Sequence, residues 1–132
     1  MEEKSRYNLR RIAKDVAAIK KAAGLKLPAK IGRSTQDKNT LCVKLGPDEW
    51  IIIASLKETS KLDKRFAEIS KNYICSITDI SHRNIGFQIS GAEAVNLINV
   101  GCPLDLSLET FPVGKVTRTV FESVSIMLLR TG

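Results

Sequence analysis

A chain of 132 residues, 43% hydrophobic and 27% charged, has the composition of one ordinary globular domain, long enough to bury about two thirds of its unfolded surface. No apolar run approaches the ~20 residues of a membrane helix, and the polar start is not a signal peptide, so the sequence reads as cytoplasmic. The net charge of +7 is uneven: residues 1–40 hold eleven Lys or Arg and four Asp or Glu, while residues 41–132 balance.

Ile12, Val16, Ile19 and Ala23 recur at helical spacing and Gly24 follows as a stop, which predicts an amphipathic helix over 9–23. Its outward face carries Arg10, Arg11, Lys14, Lys20 and Lys21. Such a patch is a solvated helix face or a surface for an acidic protein partner, an anionic lipid surface or RNA. Nucleic acid fits less well, because exposed aromatics do not interleave with the charges and only Tyr7 lies nearby. The polar stretch 28–39 reads as a loop, so 1–40 is a basic helix and loop and 41–132 an α+β core.

Leu41, Val43 and Leu45 alternate as a half-buried strand does, Gly46-Pro-Asp-Glu49 supplies a turn, and 50–54 is apolar on both faces. These segments predict a hairpin whose second strand is central. Leu62, Phe66 and Ile69 mark a helix over 57–71. Residues 74–80 and 84–90 read as strands, the latter alternating at Ile85, Phe87 and Ile89. A short helix is expected over 91–99, then strands over 115–121 and 124–129 around a break at Glu122-Ser123. The whole is an α+β domain with a largely antiparallel sheet, ferredoxin-like in arrangement.

No glycine-rich turn feeds a helix, so neither a flavin nor a nicotinamide dinucleotide has an evident cradle, and no Gly-x-Ser-x-Gly elbow is present. In Asp79-Ile-Ser-His-Arg83, the residues Asp79, Ser81 and His82 are of catalytic types, but neighbours on a strand point to opposite faces. Asp79 and Ser81 better suit pairing of backbone amides at a strand-to-turn break, with His82 and Arg83 projecting outward as structural or partner-contact groups. Trp50, the only tryptophan, is a core aromatic or an interface anchor. In Gly101-Cys-Pro-Leu-Asp-Leu106, Gly101 suits a left-handed cap and Pro103 ends the helix, while Cys102 reads as packed. Asp105 caps the next turn or pairs with Arg83 or Arg118. Asp48 and Glu49 lie in a hairpin turn where solvent keeps both ionised. Cys42, Cys75 and Cys102, with His82, would have to converge to hold a metal, and their scatter favours small buried residues instead.

Three blocks in this order, Leu45-Gly-Pro-Asp-Glu-Trp50, Asp79-Ile-Ser-His-Arg83 and Gly101-Cys-Pro-Leu-Asp-Leu106, resemble the gamma subunit family of heterotetrameric sarcosine oxidase from about Tyr7 onward. Residues 79–97 are also similar to the wider aminomethyltransferase-type, folate-binding superfamily. The resemblance implies a fold close to the folate-binding domain. It further implies a docking subunit without a catalytic, cofactor-binding or metal-binding residue of its own. The alpha, beta and delta subunits would be its partners, alpha the one in contact. FAD, FMN, NAD and tetrahydrofolate would sit on those partners. A stand-alone folate-binding protein related to aminomethyltransferases is the alternative, and a basic RNA-binding module a third. Members of the family continue past the Leu128-Leu-Arg130 strand with another strand and helix, whereas this sequence stops at Gly132.

Overall fold

The structure, a computed structural model, describes residues 4–11, 16–83 and 85–132. It divides the chain into two units, 1–85 and 86–132.

In the first unit the order is β1 (Lys4–Arg11), α1 (Val16–Ala23), β2 (Ser34–Gln36), β3 (Thr40–Gly46), β4 (Glu49–Ser55), α2 (Thr59–Asn72) and β5 (Cys75–Asp79). The strands form one antiparallel sheet in the order β2-β3-β4-β1-β5. Without the three-residue edge strand β2, this is β-α-β-β-α-β with the first strand inserted between the third and the last, the ferredoxin-like connection. The β3–β4 hairpin and the central place of β4 match the expectation from its two apolar faces.

The expected helix over 9–23 is shorter. Residues 4–11 are a strand that pairs with β4 from Lys4↔Ser55 to Arg10↔Glu49 and with β5 from Tyr7↔Asp79 to Arg11↔Cys75. Ser5, Tyr7 and Leu9 are buried at every second position, the period of a strand with one buried face. Pairing on both sides overrides the helical spacing that begins at Ile12, a residue outside those described, as is Lys14. The basic residues of 4–11 therefore belong to the sheet, and among the described residues of 9–23 the helix covers Val16–Ala23.

Both helices cover one face of this sheet. Ile19 and Ala23 of α1, and Leu62, Phe66 and Ile69 of α2, meet Tyr7, Leu9, Cys42, Trp50, Ile52 and Ala54 in one buried cluster. Each large side chain fully buried here stabilises the fold by roughly 1.5–3 kcal/mol. Helix α1 ends in a Schellman motif: Leu25 N–H donates to Lys20 C=O (3.1 Å), and Gly24 N–H donates to Lys21 C=O (3.3 Å). Gly24 takes φ 66°, so the glycine read as a stop acts as one. Arg65 of α2 donates from Nη1 to Ala23 C=O (2.9 Å), tying the two helices together at that end.

The second unit contains α3 (Ala94–Asn99) and the hairpin β6 (Val116–Phe121) and β7 (Val124–Leu129), paired from Val116↔Leu129 to Phe121↔Val124. Cys102, Leu106, Phe111 and Val116 are its buried apolar residues. Of the strand expected over 84–90, Asn84 lies outside the described residues, and 85–90 carry no regular structure, with Ile85 and Phe87 74% and 75% exposed. Alternation marks a strand-like segment, but a strand also needs a neighbour to complete its ladder.

Candidate functional site

The Asp79–Arg83 block ends β5 and fastens it to β1. Asp79 Oδ1 accepts from Ser81 N–H (2.9 Å) and Ser81 Oγ–H (2.6 Å), while Ser81 Oγ accepts from Arg6 N–H (2.9 Å). Ile80 N–H donates to Arg6 C=O (2.8 Å), and Arg6 Nη1 donates to Ser81 C=O (3.3 Å). The Ser81 hydroxyl, then its N–H, holds the Asp79 carboxyl below its usual range. Asp79 and Ser81 thus close a turn. His82 and Arg83 are exposed beyond it, and His82 makes no bond to Ser81 that would activate the hydroxyl.

Asp79 also faces a cleft. Tyr7↔Asp79 and Leu9↔Ile77 are directly opposed, so Ile77 and Asp79 share the face of β1 that packs beneath α2. Tyr7, Ile77 and Asp79 from the sheet, with Asp63, Phe66, Ala67 and Ser70 from α2, line an open groove of about 220 Å³. Tyr7 Oη donates to Asp63 Oδ1 (2.7 Å), and its ring meets Phe66 edge-on at 4.8 Å. Burial, then the Asp63 bond, pushes the Tyr7 hydroxyl above its ordinary range. Sequence reasoning missed this groove because it requires β1. The available signal was the alternation of Ser5, Tyr7 and Leu9.

Trp50 is 1% exposed, in the core. Its Nε1–H donates to Pro28 C=O (3.0 Å), and Lys44 Nζ lies 4.8 Å over the ring. Next to it, Glu49 departs from the expectation of a solvated turn carboxylate. It is 8% exposed, and its Oε2 accepts from Asn8 Nδ2 (2.8 Å), Arg10 Nη2 (3.0 Å) and Arg10 Nε (3.3 Å). The strand at 4–11 brings those donors to it, so Arg10 is an ion-pair partner rather than part of a helix face.

In the second unit Gly101 does not take the left-handed conformation, which belongs to Gly24, Gly32, Gly91 and Gly114. The glycine answers a different need: a Cβ there would lie 2.8 Å from Phe121 ring atoms. Gly101 C=O also accepts from Glu122 N–H (2.7 Å). Cys102 is buried with Sγ 3.9 Å from Thr119 Oγ1, and Pro103 is exposed. Asp105 caps the following turn: Oδ1 accepts from Ser107 N–H (2.9 Å) and Oδ2 from Thr110 Oγ1–H (3.0 Å). Those bonds hold its carboxyl low, and neither goes to an arginine.

The three cysteines are free thiols. Cys42 on β3 and Cys75 on β5 are three strand spacings apart, about 14 Å, so they cannot share one ion. Burial pushes the Cys42 thiol up to about 12. No cluster of metal-ligating side chains occurs among the described residues. Nor do α2 and α3 begin as phosphate sites do: Glu58 and Glu93 precede them, and their carboxylates oppose an anion. A flavin or nicotinamide pyrophosphate does not fit these helix starts.

The model of the family described as sarcosine oxidase, gamma subunit, matches residues 12–132. The chain belongs to this gamma subunit family. All three sequence blocks fall inside the match, whereas β1 lies ahead of it. Among curated relatives, sarcosine oxidase subunit gamma from Corynebacterium sp. (strain U-96) is 29% identical over 117 residues, 88% of this chain and 56% of the relative. The Arthrobacter sp. subunit gamma is 29% identical over the same length, 57% of that relative. The chain thus spans a little over half the length of the gamma subunits it matches. Among solved structures, heterotetrameric sarcosine oxidase from Corynebacterium sp. U-96 in complex with pyrrole 2-carboxylate aligns with a TM-score of 0.77 at 24% identity, over 100% of this chain and 68% of that one. That likeness concerns the fold. The chain itself is α+β, and its first unit is ferredoxin-like. No helix among the described residues is long and apolar enough to cross a membrane.

Proposed function

We propose that this chain is the non-catalytic gamma subunit of a heterotetrameric sarcosine oxidase, a docking module in the cytoplasm. The assembled enzyme would convert sarcosine, oxygen and tetrahydrofolate to glycine, hydrogen peroxide and a folate-bound one-carbon unit. FAD, FMN, NAD and tetrahydrofolate would be held by the partner subunits, with the alpha subunit in direct contact with this chain.

The family match over residues 12–132 carries this reading. The polar groups of the motifs support it, because they serve structure. Asp79 closes the Ser81 turn through Oδ1, Asp105 is committed to Ser107 and Thr110, and Trp50 to the core. Of the exposed members of the blocks, His82, Arg83 and Pro103 stand at the surface where a partner would meet them. Tagging the chain in its native source and resolving the eluate by size tests the proposal. Larger flavin-bearing chains should elute with it, and a solitary peak contradicts it.

A further inference from the structure

The two edges of the five-stranded sheet differ. Strand β2 has only three residues and lies between Arg33 and Asp37-Lys38; a short edge strand beside charges is protected against further pairing. Strand β5 at the other edge has five residues, Cys-Ser-Ile-Thr-Asp, without proline, lysine or bulge. Its hydrogen-bond phase is set by Ile80 N–H donating to Arg6 C=O. In an antiparallel pair alternate residues face the neighbour, so Thr78 and Ser76 turn their N–H and C=O groups to β1, and Ile77 and Asp79 turn theirs away. The outward groups of Ile77 and Asp79 have no partner among the described residues.

Beside this open edge runs the groove under α2, with Phe66, Ala67 and Ile77 as its apolar wall and Asp63 and Asp79 as its charges. Asp63, Ala67 and Asp79 are exposed. Two carboxylates on a chain of net charge +7 make the groove a local acidic site, selective for a cationic side chain. An open strand edge next to a helix-walled groove is the arrangement by which an extended peptide adds a strand.

We infer that β5 and α2 form a docking groove for an extended, basic segment of a partner protein, which pairs with the Ile77 and Asp79 backbone and places a Lys or Arg between Asp63 and Asp79. Main-chain pairing fixes the register, while alternate apolar side chains of the segment meet Ile77 and Phe66. This inference rests on the reading of the chain as a docking subunit and names the surface used.

The test uses the full chain and acetylated, amidated pentapeptides: Val-Thr-Arg-Thr-Val, in which Arg and both Val share one face, its Glu-for-Arg counterpart, and the basic peptide N-methylated at alternate backbone nitrogens. The basic peptide should slow amide exchange at Ile77 and Asp79 and bind at least tenfold tighter than the acidic one. N-methylation should abolish binding. The variant Ala67→Arg, a change at an exposed position, should weaken binding at least tenfold, as should the pair Asp63→Asn and Asp79→Asn. Equal binding of the acidic peptide, protection elsewhere or no binding overturns the inference. So does protection of the same amides by self-association without peptide. If Ala67→Arg still elutes with the larger subunits and peptides do not bind, the groove fails and the docking function stands. If peptides bind as expected but no partner elutes with the native chain, the docking function fails alone.

Discussion

Gly101 and Phe121 are packed so closely that a methyl group on Gly101 would sit 2.8 Å from the ring. The contact joins the stop of α3 to the end of β6, and the Glu122 N–H bond to Gly101 C=O (2.7 Å) reinforces it. Gly101→Ala should therefore destabilise the second unit by about 1–2 kcal/mol through overpacking. Its backbone angle is not left-handed, so alanine meets no conformational penalty. Urea unfolding checks this, and adding Phe121→Leu should recover part of the loss.

Glu122, the first residue of the β6–β7 turn, has φ 54°, the only positive value for a non-glycine residue among those described. Glycine takes that conformation without the side-chain clash that other residues incur. Glu122→Gly should stabilise the chain by about 0.5–1 kcal/mol, and Glu122→Ala should give no such gain. The urea midpoint of each variant distinguishes them.

Tyr7 predicts an alkaline loss of stability. Its hydroxyl pKa is raised, first by burial and then by donation to Asp63. The folded value lies above the unfolded one near 10, so the contribution is whole below pH ~10 and fades as pH climbs through the folded value. Tyr7→Phe keeps the ring on Phe66 but removes the bond, costing about 1–2 kcal/mol at neutral pH. Its melting temperature should fall less steeply above pH 10 than that of the native chain.

Asp79 predicts the opposite limb. The Ser81 hydroxyl, then its N–H, lowers the carboxyl pKa. That stability is present above the unfolded value near 3.9 and lost as pH falls through the folded one. Solvent exposure keeps the effect small. Ser81→Ala should flatten the decline of stability below pH 4 and loosen the link to Arg6, measurable as faster amide exchange at Arg6.

Much of the fold was legible where local pattern and tertiary partner agree. The hairpin of residues 41–54 alternates and turns at Pro47, and the Leu62, Phe66 and Ile69 stripe repeats at helical spacing; both emerge as β3–β4 and α2. Residues 4–11 and 85–90 show why the rest was not. In the first, alternation of Ser5, Tyr7 and Leu9 is outweighed in the sequence by the stripe starting at Ile12, and pairing with β4 and β5 decides the outcome. In the second, alternation is clear but no partner strand accompanies 85–90. The Asp79–Ser81 bond follows from local side-chain chemistry. Its anchor, Arg6, is 75 residues away in sequence, beyond the reach of spacing arguments. The carboxylate of Glu49 misled for the same reason: Asn8 and Arg10 reach it only through the sheet.

On the proposed function, this polypeptide contributes surface while the oxidation of sarcosine happens on its neighbours. Measuring flavin content and sarcosine-dependent peroxide release for the purified chain alone, and for the complex captured through it, tests that claim most directly. The expected outcome is a colourless, inactive chain and a yellow, active complex. Flavin held by the chain alone, peroxide produced by it, or capture of no larger subunit would contradict it.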